Sequence, residues 1–292
     1  MLKYFSFRAV LAASLIAFGA AAAAQADTLS RIRESGEFKL GHRTSSMPFS
    51  YSADNGAAQG YSVDICRKIF EKVKLELKRP DLKLKFVALQ SADRIKAVKE
   101  HRVDVECGST THTAARALDV DFSYSIFFAG MRFLARKSAN LHDWRDLRGK
   151  TIAVTEKSTA EIELGIMNSQ RGMNMKLVTV PDHAEGFLRM QLGKVHAVVN
   201  DDAVLFGLLN TSTTPNDFAF VGKHLSVEPY GILSAKGDAS MSALVDSVVV
   251  DLLQSGEIRQ LYAKWFEKGA SPLPMSMYLR QSMNTPSRFG IQ

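Results

Sequence analysis

At 292 residues, with 46% hydrophobic and 23% charged side chains, the chain has the size and balance of one large or two ordinary globular units, which excludes a disordered or fibrous polymer. A formal charge of +7 and a pI near 9.3 raise nucleic acid as a partner. The basic residues are instead spread over helix faces, as at Arg67, Lys68, Lys72, Lys74 and Lys78, with no recognition motif and no arginine–aromatic stripe, so capture of a small anion fits better.

In chain order, Lys3 and Arg8 precede an uncharged run over 9–24, rich in Ala, Leu, Ile and Phe. Small residues at Ala24 and Ala26 fit a cleavage site before Asp27. The run is too short and too Ala-rich to favour a membrane span, so the sequence predicts a secretory signal over 1–26 and an exported, soluble remainder. Phe38–Gly41 reads as a short strand. Tyr61–Lys78 carries Val63, Cys66, Ile69, Phe70, Val73 and Leu77 at helical spacing, with Ser62 as N-cap and Pro80 closing it. Leu84–Leu89 is a strand, Ser91–Glu100 a helix and Val103–Cys107 a strand. The second half repeats the rhythm with strands at Thr151–Thr155, Lys176–Val180 and Val195–Asn200. Helices at Ser158–Met167, Asp182–Leu192 and Asp201–Leu209 alternate with them. Strands at Phe218–Val221 and Val227–Ala235 follow, then helices at Ala239–Gln254 and Glu257–Lys268. Residues 270–292, with three prolines, read as an irregular tail.

This alternation predicts an α/β fold in two lobes. Phe122–Arg136 and Val227–Ala235 are extended enough to cross between them. The expected division is 27–132 plus 228–275 for the first lobe, 133–227 for a second lobe inserted within it, and 276–292 for a C-terminal tail. Cys66 and Cys107 are the only cysteines, and an even count in an oxidising compartment permits one disulfide, the alternative being two buried thiols. Two cysteines make no metal site alone, and CxxC and HExxH are absent, so neither a metal nor another cofactor is expected.

Polar groups gather where strands end, the usual site of chemistry in α/β folds. Gly41-His42-Arg43 follows the first strand, and Ser91-Ala92-Asp93-Arg94 opens a helix. Gly108-Ser109-Thr110-Thr111 follows Cys107, Lys157-Ser158-Thr159 follows the strand at 151–155, and Asp182-His183 and Asp201-Asp202 follow two more. Two arginines suit carboxylates, helix-start hydroxyls and N–H groups suit an anion, and an aspartate suits an ammonium. Singly, Ser91, Ser158 and Asp201 also read as helix caps, and Arg43 or Arg94 as a structural ion pair. Their joint placement at successive strand ends is what points to a zwitterion with an extra carboxylate.

At these residues the chain resembles the periplasmic solute-binding proteins of polar amino-acid ABC transporters, in their glutamate/aspartate-binding branch. The strings that carry the resemblance are Gly41-His42-Arg43 with Ser45-Ser46 and Pro48-Phe49-Ser50-Tyr51, Gly60-Tyr61-Ser62 with Asp64, Glu106-Cys107-Gly108-Ser109-Thr110-Thr111, Asn200-Asp201-Asp202-Ala203 and Tyr230-Gly231. It runs over roughly 28–280. The resemblance implies the type II periplasmic-binding-protein fold, with two crossing strands as hinge. It also implies a monomer that closes on L-glutamate or L-aspartate and delivers it to an inner-membrane ABC permease, with no enzymatic activity. By this resemblance Arg94 holds the α-carboxylate, with Ser109 and Thr111 beside it and Thr159 reaching it from the second lobe. Asp201 takes the α-ammonium. Arg43 and His183 meet the side-chain carboxylate next to Ser91, with His183 strongest when protonated. Two departures stand out. His112-Thr113-Ala114-Ala115-Arg116 differs from the usual Asn-rich continuation while keeping Arg116. Ile232 stands where some relatives carry Cys, which leaves Cys66 as the partner for Cys107. The same fold admits an exported enzyme of the cyclohexadienyl dehydratase kind, or a ligand-binding partner of a signalling receptor. An enzyme would need a poised acid or base, for which His183 is the obvious proton carrier.

Overall fold

The structure is a computed structural model describing residues 27–268 and 272–291; the expected secretory signal lies outside these. Among the described residues no helix is long and apolar enough to cross a membrane. Two five-stranded sheets share one plan. The first runs Lys83–Leu89, Glu37–Arg43, Val105–Cys107, Leu233–Ala235, Val120–Phe122, and the second Lys176–Val180, Thr151–Thr155, Ala197–Asp201, Met131–Arg136, Phe218–Val221. In each the first three strands are parallel and the fourth is antiparallel to both neighbours. Register pairs Arg43 with Leu89 and His42 with Cys107, and in the second sheet Thr155 with Val180. The carboxyl ends of the parallel strands therefore lie on one edge of each sheet, where α/β folds build their clefts.

The chain passes between the sheets through Phe127–Ala129, paired antiparallel with Glu228–Tyr230. The expected single strand over Val227–Ala235 is thus two, Glu228–Tyr230 and Leu233–Ala235, each in a different sheet. Around this crossing the rings of Phe49, Phe127 and Phe266 pack with centroids 4.7 and 4.9 Å apart, and Phe49 meets Tyr230 at 5.0 Å. Each such pair adds about 0.5–1.5 kcal/mol beyond its burial. The aromatic knot thus stiffens the point from which both lobes hang.

The helix Tyr61–Leu77 buries Val63, Cys66, Ile69, Phe70, Val73 and Leu77 on the face its spacing predicts. Ser62 is not its cap. The cap lies two residues earlier, at Gly60 with φ 136°, where a Cβ would stand 2.2 Å from the Phe49 carbonyl oxygen. With Gly60 forced by that contact, the Ser62 hydroxyl is free to donate to the Gly108 carbonyl at 2.7 Å. The same helix is bonded to the central strand through the disulfide Cys66–Cys107, with Cα atoms 6.3 Å apart. The segment expected as a helix over Ser91–Glu100 is helical only over Arg94–Lys99, because Ser91–Asp93 forms a turn held by the Arg94 side chain. The tail is irregular over 272–276 and 285–290 but not between them. Ser276 caps a helix over Met277–Asn284 by accepting from Leu279 N at 3.2 Å, and Leu279 and Ser282 are buried. The prolines lie outside that helix, where they interrupt nothing.

Candidate ligand-binding site

Arg43 ends its strand almost wholly buried, its backbone N–H donating to Ser50 Oγ at 2.9 Å. Burial, then repulsion by Arg94, pushes its pKa down to about 10, and its Nε has no partner among the described residues. Arg94 opens the short helix Arg94–Lys99, and its Nη1 donates to Ser91 Oγ at 2.6 Å and to the Ser91 carbonyl. Ser91 is therefore a brace for Arg94, not a helix cap. Beneath both guanidinium groups lies Glu106, fully buried, accepting from Thr110 Oγ1 at 2.9 Å. Burial raises its pKa while Arg94 and Arg43 oppose the rise. The chain then turns at Gly108, where a Cβ would lie 2.2 Å from Glu106 Oε1. That close approach brings Ser109 and Thr111 beside the arginines.

Arg116, noticed in the sequence but not chosen as a site residue, completes the first lobe's share. Its Nη1 donates to Thr111 O at 2.9 Å, and its Nη2 reaches Lys157 O, on the second lobe, at 3.1 Å. Burial and Arg94 push its pKa down to about 9. Its sequence signal was weak, because it sits in a 3-10 turn five residues beyond Thr111 and not at a strand end.

On the second lobe Ser158 caps the helix Thr159–Arg171, accepting from Glu161 N at 3.1 Å. Thr159 Oγ1 donates to Glu228 Oε2 at 3.0 Å. His183 begins the helix His183–Gln191, capped by Asp182. The Thr155 hydroxyl lies 2.8 Å from its Nδ1, and Asn200 Nδ2 meets the same atom. Burial, then Arg43 and Arg94, holds the imidazole pKa well below its ordinary value, which favours the neutral ring over the protonated form in which the sequence expected the strongest contact. Asp201 ends the strand Ala197–Asp201, does not bond its helix through the side chain, and accepts from the Tyr230 hydroxyl. Burial and nearby Glu228 hold its carboxyl well above the usual range, with Arg116 opposing the rise.

Twelve residues line one cavity between the lobes, drawn in to about 10 Å³ of open space. All eight chosen from the sequence are among them: Arg43, Ser91, Arg94, Ser109 and Thr111 from the first lobe, Thr159, His183 and Asp201 from the second. Arg116, Ser158, Ala160 and Asn200 are the four not chosen. A wider depression on the outer surface, lined by Asp27, Lys99 and Lys236 among others, has no comparable convergence of buried groups. Its lysines pair with Asp119 at 2.5 Å and Asp121 at 3.0 Å. Among the described residues no group of three or more His, Cys, Asp or Glu is placed to hold a metal ion.

The family model for bacterial extracellular solute-binding proteins, family 3, matches residues 38–268. The chain belongs to that family. It is 39% identical over 267 residues to the L-glutamate/L-aspartate-binding protein of Pseudomonas aeruginosa, covering 89% of this chain and 88% of that one. It is 35% identical to the glutamate/aspartate import solute-binding protein of Escherichia coli, covering 91% and 88%. Among solved structures it resembles a mutant of ArgBP from T. maritima with a TM-score of 0.74 and 27% identity, covering 82% of this chain and 100% of that one. The fold is the two-lobed α/β architecture of amino-acid-binding proteins, with the two sheets joined through the Phe127–Ala129 and Glu228–Tyr230 crossing.

Proposed function

We propose that this chain, exported to the periplasm after loss of residues 1–26, works as a monomer that captures L-glutamate or L-aspartate between its lobes and passes it to an inner-membrane ABC permease. The observation that carries the reading is the pair of buried guanidinium groups, Arg43 and Arg94, facing a buried Asp201 across one cavity. One arginine suffices for an α-carboxylate; a second, equally buried, calls for a second carboxylate on the ligand. The names of the relatives from Pseudomonas aeruginosa and Escherichia coli support the same ligand class.

Arg94, braced by Ser91, holds the α-carboxylate with Arg116, Ser109, Thr111 and Thr159 around it. Asp201 takes the ammonium, a cation set against a carboxyl that burial and Glu228 hold above its usual range. Arg43 takes the side-chain carboxylate, and neutral His183 donates a hydrogen bond to it. In this reading the site is a receptor that performs no chemistry on its cargo, since an imidazole held well below its ordinary pKa is a weak base. Calorimetric titration of the mature protein against the twenty common amino acids tests this. Heat of binding confined to glutamate and aspartate is expected, and tight binding of arginine or glutamine in their place would overturn it.

A further inference from the structure

Around His183 the hydrogen-bond directions are forced. The backbone N–H of Asp201 donates to Asn200 Oδ1 at 2.8 Å. A backbone N–H can only donate, so this contact identifies the amide oxygen of Asn200. The atom of Asn200 that meets His183 Nδ1 is therefore its NH₂, which has no lone pair to offer. Nδ1 must accept, and the Thr155 hydroxyl, 2.8 Å from the same nitrogen, also serves as donor. A neutral imidazole whose Nδ1 accepts carries its proton on Nε2.

We propose that Asn200 and Thr155 are positioning residues that lock His183 as the Nε2–H tautomer, giving the cavity a fixed, uncharged donor beside Arg43. The role of that donor towards a ligand carboxylate rests on the function proposed above; the lock itself does not.

The surroundings act in the same direction. Arg43 and Arg94 face the ring from the first lobe and disfavour a second proton on it. The ring opens the helix His183–Gln191, whose N-terminal dipole also disfavours a cation. The nearest carboxylates are engaged elsewhere: Asp182 accepts from Glu185 N at 2.9 Å, and Asp201 accepts from Tyr230. Protonating Nδ1 would set an N–H against the Asn200 NH₂. The lock therefore makes recognition of the acidic side chain independent of pH across the range in which a free histidine titrates.

The test uses ¹⁵N-histidine-labelled, ligand-free mature protein, with the His183 signals assigned by their loss in His183→Gln. An unprotonated Nδ1 and a protonated Nε2 are expected at both pH 5.5 and pH 8. The pH profile of glutamate affinity should then keep its shape in His183→Gln, because a ring that does not titrate adds no linkage of its own, while Asp201 with its raised pKa contributes alike to both proteins. Asn200→Asp keeps the side-chain shape and an oxygen for Asp201 N but replaces the NH₂ with an acceptor. It should draw a proton onto Nδ1 and make glutamate affinity change by about tenfold or more over the same range. Thr155→Ser should behave as the parent. A doubly protonated ring or an Nδ1–H tautomer in the parent overturns the lock, as does a folded Asn200→Asp protein with unchanged His183 signals. The expected tautomer in a protein that gives no heat with glutamate would leave the lock standing and overturn the ligand reading instead.

Discussion

Replacing Arg43 by Met, similar in length and uncharged, separates side-chain recognition from α-carboxylate recognition. Burial and Arg94 bring the Arg43 pKa down to about 10 even with Glu106 and Asp182 opposing the fall. Keeping the cation in that setting costs roughly 3 kcal/mol, at 1.36 kcal/mol per pKa unit. A ligand carboxylate placed against Arg43 returns that energy on binding, and a Met site offers nothing to return. The loss expected for glutamate is therefore roughly 2–5 kcal/mol, the range for truncating one partner of a buried charge pair. That corresponds to about 30- to 5,000-fold in Kd. Glutamine, whose amide needs no cation, should lose less than about tenfold. Ligand-free Tm should change little, since the substitution removes a buried charge with an unpartnered Nε but also takes one of three guanidinium neighbours from Glu106. Titration calorimetry with glutamate, aspartate and glutamine reads the affinities, and thermal unfolding without ligand reads the stability. An Arg43→Met protein that binds glutamate as the parent does would refute the reasoning.

Arg94→Met should weaken glutamate, aspartate and glutamine alike, by about a hundredfold or more, because every amino acid carries an α-carboxylate; selective loss of acidic ligands in the same titrations would reverse the two arginines' roles. Asp104 is buried, accepts from Lys39 N at 2.7 Å, and has its pKa raised to about 6 by burial. Its native state holds a proton more readily than the unfolded chain, so its contribution to stability is greatest below the unfolded value and is lost as pH rises through about 6. Asp104→Asn should therefore gain roughly 1–3 kcal/mol over the parent at pH 8 and little at pH 4, read from urea midpoints; an equal difference at both pH values would exclude the titration. The disulfide Cys66–Cys107 spans 41 residues of sequence, and removing it by the double Ser variant should cost about 4 kcal/mol in the chain-entropy account. Thiol counting on denatured, unreduced protein should find no free cysteine, and two would disprove the bond. Saturating glutamate should also shrink the radius of gyration of an initially open protein in small-angle scattering, since Arg94 and Asp201 belong to different lobes; an unchanged radius would count against closure.

The site was legible because its residues follow strands that the hydrophobic pattern marks clearly. Arg43, Ser109 and Asp201 each end or closely follow a buried β run, so locating the strand located the residue. Arg116 escaped because it belongs to a 3-10 turn, and only its reach across to Lys157 O shows its part. Ser62 misled for a related reason. Serine at a helix start is the ordinary cap signal, but the close approach of Gly60 to Phe49 decided the start of the helix, and no local pattern reports such a contact. His183 was expected to bind most strongly when protonated because its surroundings could not be known; burial, then proximity to two arginines, favours the neutral ring. In the tail, the prolines were counted against a helix that fits between Pro274 and Pro286.

The burial of three guanidinium groups in one cleft has a consequence for traffic through a transporter. Arg43 and Arg116 are both held far below their ordinary pKa values when the lobes meet around them, and Arg94 repels each of them. Closing the lobes without cargo therefore works against the loss of water around these groups, and an anionic cargo offsets it. A receptor that closed freely while empty would offer its permease a counterfeit of the loaded form and drive idle cycles. Here the guanidinium groups that choose the cargo also make an empty closed form costly, so selectivity and proof of loading reside in the same atoms.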